Sequence, residues 1–210
     1  MTPLVGDKPA IPALSAAARS ILSSAAKGRG RFRLYPASFA QERLWLFDRM
    51  EPGNAVYNVP SALEITGDLG LDVLEQAMNQ IVQRHEILRT TFILAGSDPM
   101  QVVWERMPVA FKVEDAPDEN IQERITIEVR RPFSLESGPL LRVLVLRCPD
   151  KRHVLVLTMH HIVFDEWSRG IFLREIVAAY GSLLDGGTAH LDPVRIQYAD
   201  YAVWQRKRLQ

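Results

Sequence analysis

Two adjacent histidines and a nearby aspartate are the residues of this chain whose types and spacing best suit chemistry. His160 and His161 follow an apolar run, residues 154–159, and Asp165 comes shortly after them. Imidazole titrates near neutral pH, which suits a general base, and a carboxylate can orient an imidazole or hold a backbone turn. Because side chains alternate along a strand, we predict that the two histidines point to opposite faces at its end. One can then line a pocket while the other packs into the fold.

A structural role and a metal site are the alternatives for this histidine pair. A zinc site would need a third ligand at a suitable spacing. His153, His190 and Asp192 are present, but none of them falls in a recognised ligand spacing. No metal is therefore expected, whereas the spacing alone leaves both catalysis and a structural role open.

The pattern around the histidines predicts an α+β fold. Residues 140–147 and 153–159 are typical of two strands of a hairpin, with Pro149 and Asp150 in the turn. Further strands are predicted over residues 62–66, 88–94 and 102–105. Helices are predicted over residues 14–26, 38–50, 72–84, 121–130 and 168–184 and from Tyr198 onwards.

Caps and apolar stripes complete these helix predictions. Ser15 and Asp72 are suited to N-caps, and Gly28 is suited to the position just after the first helix. The apolar residues expected to face a core on helix 38–50 are Leu44, Trp45, Phe47 and Met50. Those expected to point inward on helix 168–184 are Ile171, Phe172, Ile176, Val177 and Tyr180.

The composition argues against several classes of function. Lys+Arg and Asp+Glu balance at 25 each, so no broad basic field favours nucleic acid or an anionic membrane. The apolar runs are shorter than the roughly 20 residues that span a bilayer, and the proline-punctuated N-terminus lacks the basic region of a signal peptide. A cytoplasmic location is expected. Cys148 is the only cysteine, which excludes an intrachain disulfide and a thiolate zinc cluster.

Four segments resemble, in order, the motifs of condensation domains from nonribosomal peptide synthetases. Residues 38–45 (SFAQERLW) resemble the first motif, residues 84–92 (RHEILRTTF) the second and residues 198–205 (YADYAVWQ) the fourth. Residues 160–168 resemble the core motif His-His-x-x-x-Asp-Gly-x-Ser. Because the segments keep the family's order over about residues 34–210, the chain is identified as a member of this family.

This resemblance implies a fold similar to chloramphenicol acetyltransferase, with a two-layer lobe in which a mixed β-sheet packs against helices. In the family, two such lobes form a V with a tunnel between them, and this chain is similar to the N-terminal lobe. We accordingly assign residues 1–33 to a leader or linker with a short helix and residues 34–195 to that lobe. Residues 196–210 would begin the connection to a missing C-terminal lobe.

The resemblance also implies roles for individual residues. His161 matches the family's catalytic second histidine, which would position the attacking amine or remove its proton. His160 would be mainly structural, and Asp165 would brace the loop through an ion pair with an arginine, next to Ser168. The residues of the other motifs expected to be structural are Trp45, Arg84, His85 and Arg89.

One residue departs from the core motif. Glu166 stands where the family usually has glycine. Glycine there permits a positive φ and a close approach of the backbone to substrate, whereas glutamate adds bulk and negative charge beside Asp165. The resemblance leaves open whether Glu166 abolishes activity.

The activity implied is amide bond formation between an aminoacyl or peptidyl thioester donor and an aminoacyl acceptor. The expected partners are carrier proteins, whose phosphopantetheine arms enter the tunnel, and a C-terminal lobe supplied by another chain or replaced by self-association. No directly bound cofactor, nucleic acid or membrane is expected, and turnover by the chain alone stays open. The alternatives are a non-catalytic remnant or carrier docking module, and an oligomeric acyltransferase that uses coenzyme A thioesters.

Overall fold

The helices and strands follow one another along a chain of mixed α+β type. The structure is a computed structural model, and it describes residues 14–189 and 191–209. The helices of the described residues are α1 Ala16–Arg29, α2 Phe39–Met50, α3 Leu71–Arg84, α4 Ile121–Arg130, α5 Glu166–Leu184 and α6 Tyr198–Arg208. The strands are β1 Phe32–Pro36, β2 Asn58–Thr66, β3 Thr90–Ala95, β4 Asp98–Trp104, β5 Ala110–Asp115, β6 Leu141–Cys148 and β7 Arg152–His160.

The strands form two sheets, one antiparallel and one mixed. The first has the order β1-β4-β3, and the second has the order β2-β7-β6-β5. Strands β5 and β6 run parallel, while the other neighbours in the second sheet are antiparallel. The mixed sheet predicted from the sequence is therefore present, with a smaller antiparallel sheet beside it.

The predicted hairpin is confirmed as β6–β7. The N–H of Arg152 donates to the carbonyl of Pro149 at 3.2 Å, and the two residues between them, Asp150 and Lys151, have φ of 59° and 56°. Such a turn matches the right-handed twist of antiparallel strands. It fixes the register in which β7 runs back to end at His160.

Helices cover both faces of the mixed sheet. One face of β6, with Val143 and Val145, belongs to the core that includes α3 and α5, whereas Leu144 and Leu146 on the other face pack with α4. Side chains alternate across a strand, so a strand covered on both faces is apolar throughout. This is why residues 143–146 are continuously apolar.

Helix α1 packs on the antiparallel sheet. Ser15 caps it as predicted, accepting a hydrogen bond from the N–H of Ala18 at 3.1 Å. Ala18 and Leu22 are buried in a cluster with β3 and β4. The helix ends at Arg29 and is capped by Gly30, not by Gly28 as predicted, because Gly30 adopts a positive φ of 74° while Gly28 is still helical. The assigned leader boundary of residues 33 and 34 falls inside β1.

Several local predictions were wrong. Gly70, not Asp72, is the N-cap of α3; α5 begins at Glu166, two residues early, because Asp165 caps it. Strands β1 and β5 were not predicted, and both are edge strands with few buried side chains. Of the four α2 residues expected in the core, Trp45 is buried and Leu44 packs against the core while partly buried, whereas Phe47 and Met50 are exposed on the solvent side of the helix. On α5, Val177 is also exposed.

Candidate functional site

The two histidines of the core motif lie at the end of β7 and go to different environments, as the alternation predicts. His160 is buried between the rings of Tyr57 and Phe133, with ring centroids 6.1 Å away in both cases. Its Nδ1 accepts a hydrogen bond from the N–H of Ile162 at 3.1 Å. Burial, assisted by the charge of His161, lowers the pKa of His160 to about 4. His160 is therefore neutral at pH 7 and packs into the fold.

His161 lines a cleft and has one ring nitrogen committed. Its Nδ1 lies 2.7 Å from the carbonyl oxygen of Phe164. A carbonyl can only accept, so Nδ1 carries the proton in the neutral ring and Nε2 keeps a free lone pair. The backbone N–H of His161 donates to the carbonyl of Tyr57 at 2.8 Å, which ties the loop to the start of β2.

The cleft beside His161 has a volume of about 400 Å3. It lies among α2, the loop after β7 and the starts of α5 and α6. Its apolar lining consists of Ala40, Leu44, Phe47, Ile87, Ile162, Val163 and Phe164. Its polar lining consists of Gln41, Arg43, His161, Asp165, Ser168 and Tyr198. An apolar cleft with a few converging polar groups is the usual form of a small-molecule site.

Asp165 caps α5 and does not form the expected ion pair. Its Oδ1 accepts hydrogen bonds from the N–H of Ser168 at 2.8 Å and from the Ser168 hydroxyl at 2.6 Å. The hydroxyl, together with that N–H, lowers the pKa of Asp165. Within the described part of the chain, no arginine lies within ion-pair distance of this carboxylate. The structure braces the loop through the start of the helix instead.

Glu166 is the first residue of α5, and its helical backbone makes no use of the freedom that glycine offers. Among the described residues, the non-glycine residues with positive φ are Asp150 and Lys151, far from this position. The Glu166 side chain is exposed and pairs with Arg169 one turn later. A carboxylate at a helix N-terminus is favourable, so glutamate is compatible with the backbone at residue 166.

Arg84 and His85 meet the same carboxylate, away from the cleft. Arg84 Nε lies 3.2 Å and His85 Nε2 2.6 Å from Oε2 of Glu175 on α5. Arg84 also donates to the carbonyl of Asp192. These contacts join the end of α3 to α5 and to the segment before α6.

Arg89 and Trp45 are buried and do not line the cleft either. Arg89 donates to the carbonyls of Trp104 and Gln83 and to the Glu86 carboxylate, and burial lowers the pKa of its guanidinium. Trp45 belongs to the core. The structure thus brings His161, Asp165 and Ser168 together at the cleft. Of the second motif, Ile87 lines the cleft, whereas Arg84, His85 and Arg89 lie outside its lining.

Gln41, Arg43 and Tyr198 of the cleft lining, and Ser38 next to it, were not among the predicted site residues. Ser38 caps α2 in a capping box with Gln41, and its hydroxyl lies 2.9 Å from the hydroxyl of Tyr198 on α6. Burial raises the pKa of Tyr198. The spacing Ser-x-x-Gln is a known capping-box signal and could have identified Ser38 and Gln41.

Neither a metal centre nor a membrane-spanning helix is found among the described residues. No group of three or more His, Cys, Asp or Glu residues is arranged there to hold a metal ion. None of the described helices is long and apolar enough to cross a membrane.

Comparison with known proteins places these observations in a family. The family model described as "Condensation domain" matches residues 32–210. A linear gramicidin synthase polypeptide of Brevibacillus parabrevis is 42% identical over 86% of this chain and 2% of the relative. Surfactin synthase subunit 1 of Bacillus subtilis is 39% identical over 84% of this chain and 5% of the relative. The chain therefore spans a small part of these relatives.

Solved structures agree with the fold. The X-domain in its complex with OxyB from teicoplanin biosynthesis matches with a TM-score of 0.79 and 29% identity, over 97% of this chain and 41% of that one. The starter condensation domain of rhizomide synthetase RzmA matches with a TM-score of 0.75 and 22% identity, over 83% of this chain and 43% of that one. At that identity the second match speaks for the fold alone.

Proposed function

This chain belongs to the condensation-domain family, and we propose that it is the N-terminal lobe of a domain that forms amide bonds between carrier-bound substrates. The observation that carries the proposal is that His161 lines a mainly apolar cleft and has its Nδ1 committed to the Phe164 carbonyl, which leaves Nε2 as the ring nitrogen with a lone pair. A fixed tautomer beside a substrate-sized cleft is what a general base or an amine-positioning group requires.

In the proposed reaction the acceptor amine attacks the thioester carbonyl carbon of the donor. A C–N bond forms while the amine loses a proton to Nε2 of His161 or is held there for attack. The C–S bond then breaks, and the leaving thiolate of the donor's phosphopantetheine arm takes up the proton. The apolar wall of the cleft excludes water, which would otherwise hydrolyse the thioester.

The other motif residues are proposed to hold the loop and helices around His161 in position, without taking part in proton transfer. Neutral, buried His160 anchors the loop through Ile162, and Asp165 with Ser168 fixes the start of α5. Trp45, Arg84, His85 and Arg89 form the framework behind them. Since the Glu166 backbone is unstrained, any effect of this residue on the condensation rate is proposed to come from its negative charge.

The second wall of the tunnel is proposed to come from a C-terminal lobe or from a second copy of the chain. Residues 34–195 would then be the lobe, residues 1–33 its leader and residues 196–210 the start of the connection. Exposed Tyr201 and Trp204 on α6 support this, since large apolar side chains in water are typical of surfaces that become covered. Carrier proteins would present their arms from the two ends of the cleft.

A non-catalytic docking module is the second candidate. It is favoured by Glu166 in the usual glycine position and by the likeness to an X-domain solved in complex with another protein, OxyB. In that case the fold and the cleft are retained for binding without turnover.

A condensation assay separates the two candidates. The chain, with and without a separately supplied C-terminal lobe of the family, is mixed with loaded donor and acceptor carriers, beside His161→Ala and Glu166→Gly variants. Loss of a general base is expected to lower product formation by about 100-fold or more, so product that persists in His161→Ala contradicts the catalytic role. Carrier binding without product in any mixture, even with glycine at 166, assigns the chain to the docking class.

A further inference from the structure

A buried amide lies directly behind the loop that carries His161. Gln41, in the first turn of α2, is 1% exposed. Its Nε2 lies 3.3 Å from Oε1 of Gln101 and 3.4 Å from the carbonyl oxygen of Ile162. Its Oε1 accepts a hydrogen bond from the N–H of Ser38 at 3.0 Å. The side chain therefore joins the start of α2, strand β4 and the loop after β7.

These contacts use both hydrogen-bond donors of the amide. A primary amide has two N–H donors, and here one faces Gln101 and the other faces Ile162. The two donor distances are long, so each bond is weak by itself. Burial gives them their importance, because an amide placed there without partners would be costly. No donor of Gln41 remains for a substrate.

The carbonyl that Gln41 holds belongs to the residue after His161. Three other hydrogen bonds stay within the loop and the end of its strand: Ile162 to His160 Nδ1, Val163 to the His160 carbonyl, and the His161 ring to Phe164. Among the described helices, α2 is the one whose side chain, Gln41, hydrogen-bonds a backbone carbonyl of this loop. Gln41 thus links the loop to the rest of the cleft wall.

Gln101 extends this link to the antiparallel sheet. It is buried in β4, and its Nε2 donates to the carbonyl of Pro36 at the end of β1 at 2.9 Å. The pair Gln41–Gln101 therefore connects the antiparallel sheet to the loop that ends the central strand of the mixed sheet. A rigid connection between two sheets is what holds a side chain in one place.

We propose that Gln41 is a positioning residue, which holds the carbonyl of Ile162 so that His161 keeps its place in the cleft. The inference rests on the proposed function of His161. Gln41 acts through the loop and touches no reacting atom. Its removal is expected to leave the cleft present but to let the loop move.

Hydrogen exchange measured by NMR on the full chain tests this without any turnover. Gln41→Leu keeps the size of the side chain and removes the amide. The protection of the Ile162 and Val163 amides is expected to fall at least about tenfold further than that of the β6–β7 hairpin amides, since local opening exposes the amides that it frees.

Gln205→Leu is the matched control. Gln205 on α6 accepts from the N–H of Phe39 at 3.0 Å, so it also supports the start of α2, but its hydrogen bonds do not reach the loop. Loop protection is expected to stay unchanged in this variant relative to the hairpin. Equal losses in both variants, or no selective loss in Gln41→Leu, overturn the proposal.

Gln41→Glu serves if the leucine variant does not fold. It keeps the shape but places an oxygen where the amide nitrogen donated, so at least one of the two donor hydrogen bonds is lost whichever form the carboxyl group takes. The same selective loss in the loop is expected, and its absence overturns the proposal. In the condensation assay, kcat is expected to fall about tenfold in Gln41→Glu with KM for both carriers unchanged. A higher KM with unchanged kcat would contradict positioning. Activity retained by His161→Ala would instead contradict the proposed function, whatever the exchange data show.

Discussion

The side of the molecule under α1 and the side around the cleft use their apolar residues in opposite ways. Under α1, Trp104 is 0% exposed, its indole N–H donates to the Thr91 hydroxyl at 2.9 Å, and Phe32 meets its ring edge-on at 5.2 Å. On α6, which forms part of the cleft wall, Trp204 is 56% exposed and its ring lies beside that of Tyr201.

Several exposed apolar side chains lie on the helices that border the cleft. Phe47 and Met50 on α2 and Trp167 at the start of α5 are also more than half exposed, and these helices border the cleft. The face under α1 is closed around Trp104, whereas several large apolar side chains on the helices of the cleft side stay in water. The comparison shows that helical periodicity identifies the apolar face of a helix. It does not tell whether other residues of the same chain bury that face.

The strongest test of the closed side is Trp104→Ala. Truncation of a fully buried aromatic side chain is expected to lower the free energy of unfolding by about 3–5 kcal/mol, because it leaves a cavity and deprives Thr91 of its partner. Chemical denaturation of the full chain measures this. A loss under about 1 kcal/mol would show that the two sides are packed alike.

The burial of His160, next to the cleft-lining His161, predicts that the free energy of unfolding depends on pH. The folded-state pKa of His160 is about 4, against 6.5 for the free side chain, so the unfolded chain binds more protons between these values. Its contribution is present above pH 6.5 and is lost as pH falls towards 4, with a total of about 3 kcal/mol.

The measurement is the free energy of unfolding from pH 7 to 4 for the native chain and for His160→Asn, which cannot titrate there. The difference between the two is expected to shrink on acidification. Parallel curves would mean that His160 is not buried in its neutral form.

The smallest effect is expected for Trp204→Ala, the same substitution on the open side. Because the Trp204 indole is already more than half exposed, the free energy of unfolding is expected to change by less than about 1 kcal/mol. Light scattering is expected to show less self-association at high concentration, since an exposed apolar surface is reduced. A stability loss equal to that of Trp104→Ala would remove the distinction between the two sides.

Local signals in the sequence were sufficient for most helices and for the central hairpin. The apolar runs on either side of Pro149 and Asp150 predicted β6 and β7, and Ser15 marked the start of α1. Strand β5 was missed because it lies at a sheet edge, where Lys112 and Glu114 interrupt the apolar pattern. Whether Phe47 and Met50 are buried depends on which tertiary neighbours pack against α2, and helical periodicity does not contain that information.

The candidate site was predictable in part. Alternation along a strand correctly separated His160 from His161, and the spacing of Asp165 and Ser168 is that of a helix cap. Gln41 could be identified as a capping residue, but its contact with Ile162 joins residues 121 positions apart. A contact of that kind follows from how two sheets meet and leaves no local pattern.

The pairing of β2 with β7 has a consequence for how the site comes into being. Asn58 faces His160 in this ladder, so its closure joins distant parts of the chain, whereas the β6–β7 hairpin is local. Long-range closures cost more entropy and form more slowly. A slip of one residue in the register of β7 would turn every β7 side chain to the opposite face and exchange the positions of the two imidazoles. The pairing of β7 with β6 prevents this slip. The turn at the far end of β7 therefore determines which of the two histidines faces the cleft.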